Sequence, residues 1–369
     1  MKKTPLRYKD SNIIPALDGL RGIAIFIVLI FHYWTMSIHH PFGLVSKIIT
    51  GATALFWSGV DLFFVLSGCL SGGILISNKS SKKYFTTFYI RRFTRIFPIY
   101  YCMFFLFLLV SGTSLSLKIP DLLQSPIPIW PFAFFIQNFY ILPESLQPVW
   151  LVPTWSLAVE EQFYIIIPAL LWVLPRKIIP LIIGLIILTL ILTTYFINSD
   201  IAEFYSPDRY IGLLLGVMTA YIWKTPHIKD WLQKKSIFLY MLLLVIFIGG
   251  IIVMIKNKEN TCIIFLWVAL LHTLILMIVL FRERSLIHKI CNWSWLKRLG
   301  VISYGAYLYH MPIFYLIQYL LFGQTTPSIS NPTELLYPIV SIVLTLIIAN
   351  FSYKYIETKF LQMGKRFTY

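Results

Sequence analysis

The sequence predicts an all-α polytopic membrane protein with about ten transmembrane helices and one re-entrant or interfacial segment. Hydrophobic residues make up 58% of the 369 residues and charged residues only 12%, against roughly 25% charged residues in a typical soluble domain. The mean hydropathy is +0.77. A surface with so few charges is unsuited to water. This composition excludes a disordered chain, a fibrous repeat and an ordinary cytosolic enzyme.

Ten apolar segments come close to the roughly 20 residues that a helix needs to cross a bilayer. They cover residues 13–35, 52–76, 96–112, 155–174, 178–197, 208–223, 236–255, 261–281, 301–322 and 334–356. We take them as a single membrane-embedded domain over residues 1–369. An eleventh apolar stretch, 127–142, is shorter and is interrupted by Pro128 and Pro131.

The basic residues decide whether this eleventh stretch crosses the membrane. With both termini cytoplasmic and only the ten segments crossing, 26 of the 31 Lys and Arg residues lie in cytoplasmic loops or at cytoplasmic helix ends. If residues 127–142 also crossed, every later basic loop would face outward, against the positive-inside rule. We therefore predict a re-entrant or interfacial segment over residues 127–154, in a multi-pass protein of a cell inner membrane or plasma membrane.

The net charge of +16 does not predict nucleic-acid binding. The basic residues lie in short clusters between apolar runs, where they orient membrane spans. The four cysteines, Cys69, Cys102, Cys262 and Cys291, form no CxxC pair, so neither a disulfide nor a metal site is predicted. We expect the lipid bilayer as a partner and no metal cofactor.

Ionisable residues within membrane-spanning helices are costly and mark candidate functional positions. Here they are Asp18, Arg21, His32, Asp61, Glu160, Glu161, Arg209, His272 and His310. His32 follows Arg21 by eleven positions, which places both on one helix face, roughly 16 Å apart along the axis. The alternative is that each side chain extends to the nearest membrane interface. Asp18 can pair with Arg21, and His272 is expected to be a hydrogen-bonded interior residue.

Two pairs of charged residues stand close together in the sequence. Arg92 and Arg95 share a helix face, and two guanidinium groups can bind phosphates; the alternative is an anchor at the cytoplasmic interface. Glu160 and Glu161 are adjacent carboxylates within an apolar helix, so each needs a partner or a proton there.

The order of these residues resembles the acyltransferase-3 family of integral membrane acyltransferases. The segments that carry the resemblance are Leu17–Gly22 with His32, Gly59–Gly68, Arg91–Pro98, Gln137–Phe139, Trp155–Tyr164, Asp208–Arg209 with Gly216, and Ser303–Pro312. Each segment alone is a weak signal, but their joint occurrence in this order is specific. The resemblance runs nearly end to end.

The resemblance implies transfer of an acetyl or other short acyl group from cytoplasmic acyl-CoA, usually acetyl-CoA, to a hydroxyl of a surface or exported glycan or a lipid-linked sugar. It implies that His32 is catalytic and that Arg21, Arg92 and Arg95 are functionally required. We expect these three arginines to lie where the phosphates of the donor bind. Supporting positions within the matching segments are Asp18, Asp61, Ser67, Trp155, Arg209, Tyr309 and His310. Some relatives carry an extracytoplasmic esterase-like domain; we expect this chain to complete the transfer without one or to pass the acyl group to a partner.

Acyl transfer from a thioester to an alcohol needs a base for the hydroxyl proton, and an imidazole suits this role near neutral pH. His32 can act as that base or carry the acyl group itself. Glu160 or Glu161 is expected to orient the imidazole, as the acid does in a hydrolase triad. Two other classes stay open: a transporter or flippase for a lipid-linked or small acylated substrate, disfavoured by the lack of an internal repeat, and a non-catalytic membrane scaffold.

Overall fold

The computed structural model describes residues 14–141, 149–173, 178–196, 207–256 and 261–369. This part of the chain folds into helices and contains no strand, as the sequence predicts. The N-terminal basic residues and the pair Arg176 and Lys177, which support the predicted orientation, lie outside the described residues.

The helices follow one another with short connections. They are α1 Pro15–Ile30, α2 Gly43–Ala52, α3 Gly59–Ser77, α4 Tyr84–Ser111, α5 Leu115–Lys118, α6 Pro120–Leu123, α7 Trp130–Ala133, α8 Trp155–Val173, α9 Ile178–Phe196, α10 Arg209–Lys224, α11 Pro226–Lys234, α12 Ser236–Lys256, α13 Thr261–Phe281, α14 Leu286–Cys291, α15 Ser294–Val301, α16 Ser303–Phe322, α17 Tyr337–Ser352 and α18 Thr358–Lys365. A π-helical turn, Phe31–Thr35, extends α1, and another, Tyr353–Glu357, joins α17 to α18.

Each of the ten predicted spans coincides with one long helix. Two of these helices begin elsewhere than predicted: α3 begins at Gly59 rather than at residue 52, and α4 begins at Tyr84 rather than at residue 96. The additional turns of α4 hold Arg91, Arg92 and Arg95. Arginine lowers the hydropathy of a segment but is a good helix former, so the helix continues where the apolar pattern stops.

Within the described residues, six stretches are both long and apolar enough to cross a membrane. They are Pro15–Thr35, Gly43–Ser77, Tyr84–Ser111, Val152–Val173, Ile263–Phe281 and Pro332–Lys365. α11 and α12 together would make a seventh, bent by 78°. α10 has only 16 residues, and α16 contains five tyrosines, which lower its hydropathy. The helices agree with a multi-pass membrane protein, and the count of about ten crossings stays a prediction.

The centre of the molecule is a close contact between α3 and α10. A Cβ atom at Gly68 would lie 1.9 Å from the carbonyl oxygen of Leu213, and one at Gly216 would lie 2.2 Å from that of Val65. Only glycine permits two helix backbones to approach this closely. The contact positions Asp61 and Ser67, which both lie on α3.

A second glycine contact holds α1 against α15. A Cβ atom at Gly300 would lie 1.7 Å from the carbonyl oxygen of Asp18, and one at Gly22 would lie 2.1 Å from that of Leu296. Most of α1 is buried as a result, including both Asp18 and Arg21. This packing sets the direction in which the polar side chains of α1 point.

The predicted non-crossing segment, 127–154, contains only short helical turns in its described parts, residues 127–141 and 149–154. Its polar side chains are buried against α8. Gln137 donates to the carbonyl oxygen of Thr154 at 2.8 Å, and Gln162 on α8 donates to Asn138 at 2.9 Å. Irregular backbone is tolerated at membrane depth only where protein or water satisfies it. This packing agrees with a segment that does not cross, whose depth in the membrane stays a prediction.

Candidate active site

Helices α1, α3, α4, α8 and α16 line a partly open cavity. Five of the predicted site residues line it: Arg21, Ser67, Arg92, Arg95 and Glu160. Much of the remaining wall is apolar or aromatic, with Val60, Phe63, Phe64, Ile96, Leu157 and Tyr307 among its members. The structure therefore brings together, from the two helices α1 and α4, three arginines that lie in two separate segments of the sequence.

Arg21 is held from two sides. Its guanidinium lies 3.7 Å from the carboxylate of Asp18, one turn earlier on α1, as the sequence predicts. It also donates to the hydroxyl of Ser303 at the start of α16, at 3.1 Å. These contacts hold the charged group at the cavity wall.

The three arginines of α4 divide between two faces. Arg92 and Arg95 face the cavity, and the Arg92 guanidinium lies over the Tyr164 ring at 4.6 Å. Arg91 turns away and donates to the carbonyl oxygen of Phe367 at 2.9 Å. Arg91 is therefore held by the C-terminal segment, while Arg92 and Arg95 present positive charge to the cavity.

Glu160 belongs to the arginine-lined cavity. Its carboxylate accepts hydrogen bonds from Ser67 at 2.7 Å and from Tyr164 at 3.3 Å. Arg92 and Arg95 are both close enough to attract it electrostatically. Glu161 is buried on the next position of α8, with one carboxylate oxygen that forms no hydrogen bond in the described part of the chain.

His32 lies in the π-helical turn that extends α1. Its Nδ1 is 2.9 Å from the carbonyl oxygen of Val28. A carbonyl oxygen only accepts hydrogen bonds, so Nδ1 carries the hydrogen and Nε2 keeps a lone pair. The half-buried ring lies edge to face with the ring of His310, with 4.9 Å between centroids.

His310 is fully buried in α16. Its Nδ1 donates to the carbonyl oxygen of Tyr307 at 2.5 Å, and its own carbonyl oxygen accepts from Tyr33 at 2.8 Å. Its Nε2 forms no hydrogen bond within the described residues. The ring of Tyr307 lies 5.4 Å from that of His310 and also lines the cavity. One aromatic side chain therefore separates the arginine-lined cavity from the two histidines.

This arrangement differs from the expected contact between a glutamate and His32. Among the described residues, His32 contacts Val28, Phe31 and His310. Glu160 instead contacts Ser67 and Tyr164. The carbonyl oxygen of Val28 fixes the tautomer of the His32 imidazole. The sequence had led us to expect Glu160 or Glu161 in this role.

Asp61, Trp155 and Arg209 form a second group of predicted residues. Arg209 contacts both oxygens of Asp61 at 3.0 and 3.2 Å, and its guanidinium lies 5.1 Å from the Trp155 ring. Tyr309 lies within 3.0 Å of the Ser352 hydroxyl. His272 lies 3.1 Å from the Ser58 hydroxyl, as a hydrogen-bonded interior residue.

A family model for the acyltransferase domain, acyltransferase-3, matches residues 14–353. The chain belongs to this family. The match confirms the identification made from the sequence motifs and classes the chain with acyltransferase enzymes. It covers both the arginine-lined cavity and the histidine pair.

Several curated O-acetyltransferases are similar to this acyltransferase-3 chain. O-acetyltransferase OatA of Staphylococcus aureus strain NCTC 8325 is 29% identical over 95% of this chain and 58% of the relative. Peptidoglycan O-acetyltransferase OatA of Listeria monocytogenes is 29% identical over 99% and 58%. A putative O-acetyltransferase of Staphylococcus aureus strain COL is 29% identical over 97% and 59%. The chain thus spans a little over half the length of these relatives. No solved structure matches it.

Sequence reasoning missed four side chains that build this acyltransferase-3 site. Ser303 binds Arg21, Tyr164 binds Glu160, and Tyr307 stands between cavity and histidines, with its hydroxyl 2.8 Å from that of Ser156. All four lie within the segments that resemble the family. The resemblance therefore contained the signal, but only the tertiary contacts show what each residue touches.

Proposed function

We propose that this chain transfers an acetyl or other short acyl group from cytoplasmic acyl-CoA to a hydroxyl of a surface or exported glycan, or of its lipid-linked precursor. The supporting observation is the cavity that Arg21, Arg92 and Arg95 line together. The name of the Listeria relative, peptidoglycan O-acetyltransferase, makes peptidoglycan the first acceptor to test.

The arginines suit the phosphates of coenzyme A. Guanidinium groups bind phosphate oxygens through charge-assisted hydrogen bonds, in a planar geometry that matches the anion. The apolar part of the cavity, which includes Phe63 and Phe64, suits the less polar pantetheine arm. Arg21 and His32 are roughly 16 Å apart along α1, a length that this arm can bridge.

His32 carries the transfer step in this proposal. The acceptor oxygen attacks the thioester carbon, and its proton moves to Nε2 of His32, the nitrogen left with a lone pair by the bond from Nδ1 to Val28. The carbon–sulfur bond breaks as the ester forms, and the departing thiolate takes the proton from Nε2. The alternative, an acyl group carried on His32 itself, would leave a protein that retains label from acetyl-labelled donor when no acceptor is present.

Transfer is tested with the purified protein in liposomes. Acetyl-CoA and an uncrosslinked glycan strand are supplied, free CoA thiol is measured with a thiol reagent, and the glycan is examined for added acetyl groups by mass spectrometry. We expect thiol release that depends on the acceptor, together with an acetylated sugar. A protein that moves its substrate across the bilayer without consuming acetyl-CoA would instead be a transporter.

We further propose that both termini are cytoplasmic, in a plasma or inner membrane. The support is the division of basic residues, with Lys229 predicted inside and Lys118 outside. Each is replaced by cysteine in a chain without its native cysteines, and intact cells are treated with an impermeant thiol reagent. We expect labelling at Lys118→Cys only. Labelling at Lys229→Cys would overturn this orientation.

A further inference from the structure

We propose that His32 and His310 work as a pair, in which neutral His310 stabilises the protonated form of His32 during transfer. This inference rests on the proposed function and assigns His310 as a positioning residue. It follows from the contact between the two rings, whose centroids are 4.9 Å apart, and from how each ring is bonded to its own helix.

The two imidazoles have the same tautomer. His32 donates from Nδ1 to Val28, and His310 donates from Nδ1 to Tyr307, in both cases to a backbone carbonyl oxygen. Each Nε2 therefore keeps a lone pair. Two lone pairs cannot hydrogen-bond to each other, so the resting pair lacks one proton for an Nε2–H···Nε2 contact. The substrate hydroxyl supplies that proton during transfer.

Of the groups around His32, His310 is the one able to stabilise a positive charge on its ring. The titratable side chains that face the pair are Tyr33 and Tyr307, with ring centroids 6.3 and 5.4 Å from His310. Their hydroxyls are already engaged, that of Tyr33 with the His310 carbonyl oxygen and that of Tyr307 with the Pro153 carbonyl oxygen. Within the described residues, no carboxylate contacts either histidine.

The unprotonated Nε2 of His310 is fully buried and forms no hydrogen bond in the described structure. A buried acceptor without a partner is costly. The free lone pair of His310 Nε2 can stabilise a proton once that proton is bound to the neighbouring His32 ring. In the transfer step, His32 takes the hydroxyl proton, the pair holds it, and the leaving thiolate removes it, so no proton is gained or lost by the pair over the reaction.

Two substitutions separate this role from a structural one. His310→Asn keeps an amide near the Nδ1 position, able to donate to the Tyr307 carbonyl oxygen, but leaves nothing at the Nε2 position. His310→Gln reaches the Nε2 position and offers an amide oxygen to protonated His32. We expect His310→Asn to lower kcat by roughly tenfold or more with KM for acetyl-CoA unchanged, while His310→Gln stays close to wild type. If His310 had only a structural role, His310→Asn would instead keep more activity than His310→Gln, or the two variants would lose equal activity.

A second measurement does not depend on transfer activity. In protein labelled with ¹⁵N-histidine, the ring nitrogens of His32 are followed by NMR as pH is varied. We expect the titration midpoint of His32 to change by about one pH unit or more in His310→Asn and to return towards wild type in His310→Gln. An unchanged midpoint in both variants overturns the pair, even in a protein that transfers acetyl. A changed midpoint in a protein that transfers nothing supports the pair and overturns the proposed function.

Discussion

Arg209 contacts both carboxylate oxygens of Asp61 from a single nitrogen, at 3.0 and 3.2 Å. The two residues lie on α10 and α3, and both are buried. The Arg209 guanidinium also lies 3.6 Å from the centre of the Phe265 ring, on α13. A charged group at this depth is stable only while its partner is present. The ion pair therefore ties three helices together beside the contact between Gly68 and Gly216.

The first prediction concerns this ion pair. Asp61→Ala should destabilise the protein by about 3–5 kcal/mol, because it leaves the buried charge of Arg209 uncompensated. Thermal unfolding in detergent is the measurement. The double variant Asp61→Ala with Arg209→Met removes both charges and should recover much of the loss. A double variant no more stable than Asp61→Ala would show that the charges themselves do not set the stability.

The second prediction concerns the donor. Arg92→Ala or Arg95→Ala should weaken binding of coenzyme A by about tenfold or more, since each removes a charged donor for phosphate. Arg91→Ala is the matched control, because Arg91 binds the carbonyl oxygen of Phe367 rather than facing the cavity. Affinity is measured calorimetrically in detergent. Equal affinities for coenzyme A in all three variants would favour the alternative, in which Arg92 and Arg95 are anchors at the membrane interface.

The third prediction concerns His32. His32→Ala and His32→Tyr should both abolish acetylation of the glycan at normal protein level, because neither side chain can take the hydroxyl proton. A residue that only anchors the helix at a membrane interface could be replaced by Tyr. His39→Ala, in an exposed loop, should stay active. Near wild-type acetylation by normally inserted His32→Tyr would exclude His32 as the base and direct attention to His310.

The fourth prediction concerns the helix contact at Gly68. A methyl group there would lie 1.9 Å from the carbonyl oxygen of Leu213, so Gly68→Ala should destabilise the protein by about 1–3 kcal/mol. Gly249→Ala is the control, since nothing lies within 4 Å of its Cβ position, and alanine is preferred in a helix. Unfolding temperatures of the two variants are compared in the same detergent. Equal unfolding temperatures of the two variants would mean that α3 and α10 can move apart without loss of stability.

The sequence predicts helix positions well because a span is a local property. Twenty apolar residues in a row are visible without any tertiary contact, and all ten segments coincide with helices. The beginnings of α3 and α4 differ from the prediction. In α4, Arg91, Arg92 and Arg95 interrupt the apolar run while the backbone continues as a helix. Hydropathy reports preference for lipid, and helix formation is a separate property.

The site shows a different limit. The rise per residue predicts how far along its helix a side chain lies. It does not predict the rotation of the helix about its own axis, which depends on neighbouring helices. The packing of α8 turns Glu160 towards Ser67. The partner of His32, on α16, is far away in sequence and is brought close only by the fold.

The number of residues in the π-helical turn Phe31–Thr35 helps to determine the geometry of the site. Its wide bond runs from the amide of Met36 to the carbonyl oxygen of Phe31, five residues earlier. In a regular α-helix, neighbouring side chains diverge by about 100°, yet His32 and Tyr33 both reach His310, one through its ring and the other through its hydroxyl. Deleting a single residue from this turn would rotate the chain beyond it by about 100° about the helix axis, with every remaining side chain chemically intact. Such turns often occur at functional positions, and here an insertion or deletion would be a more severe change than many substitutions.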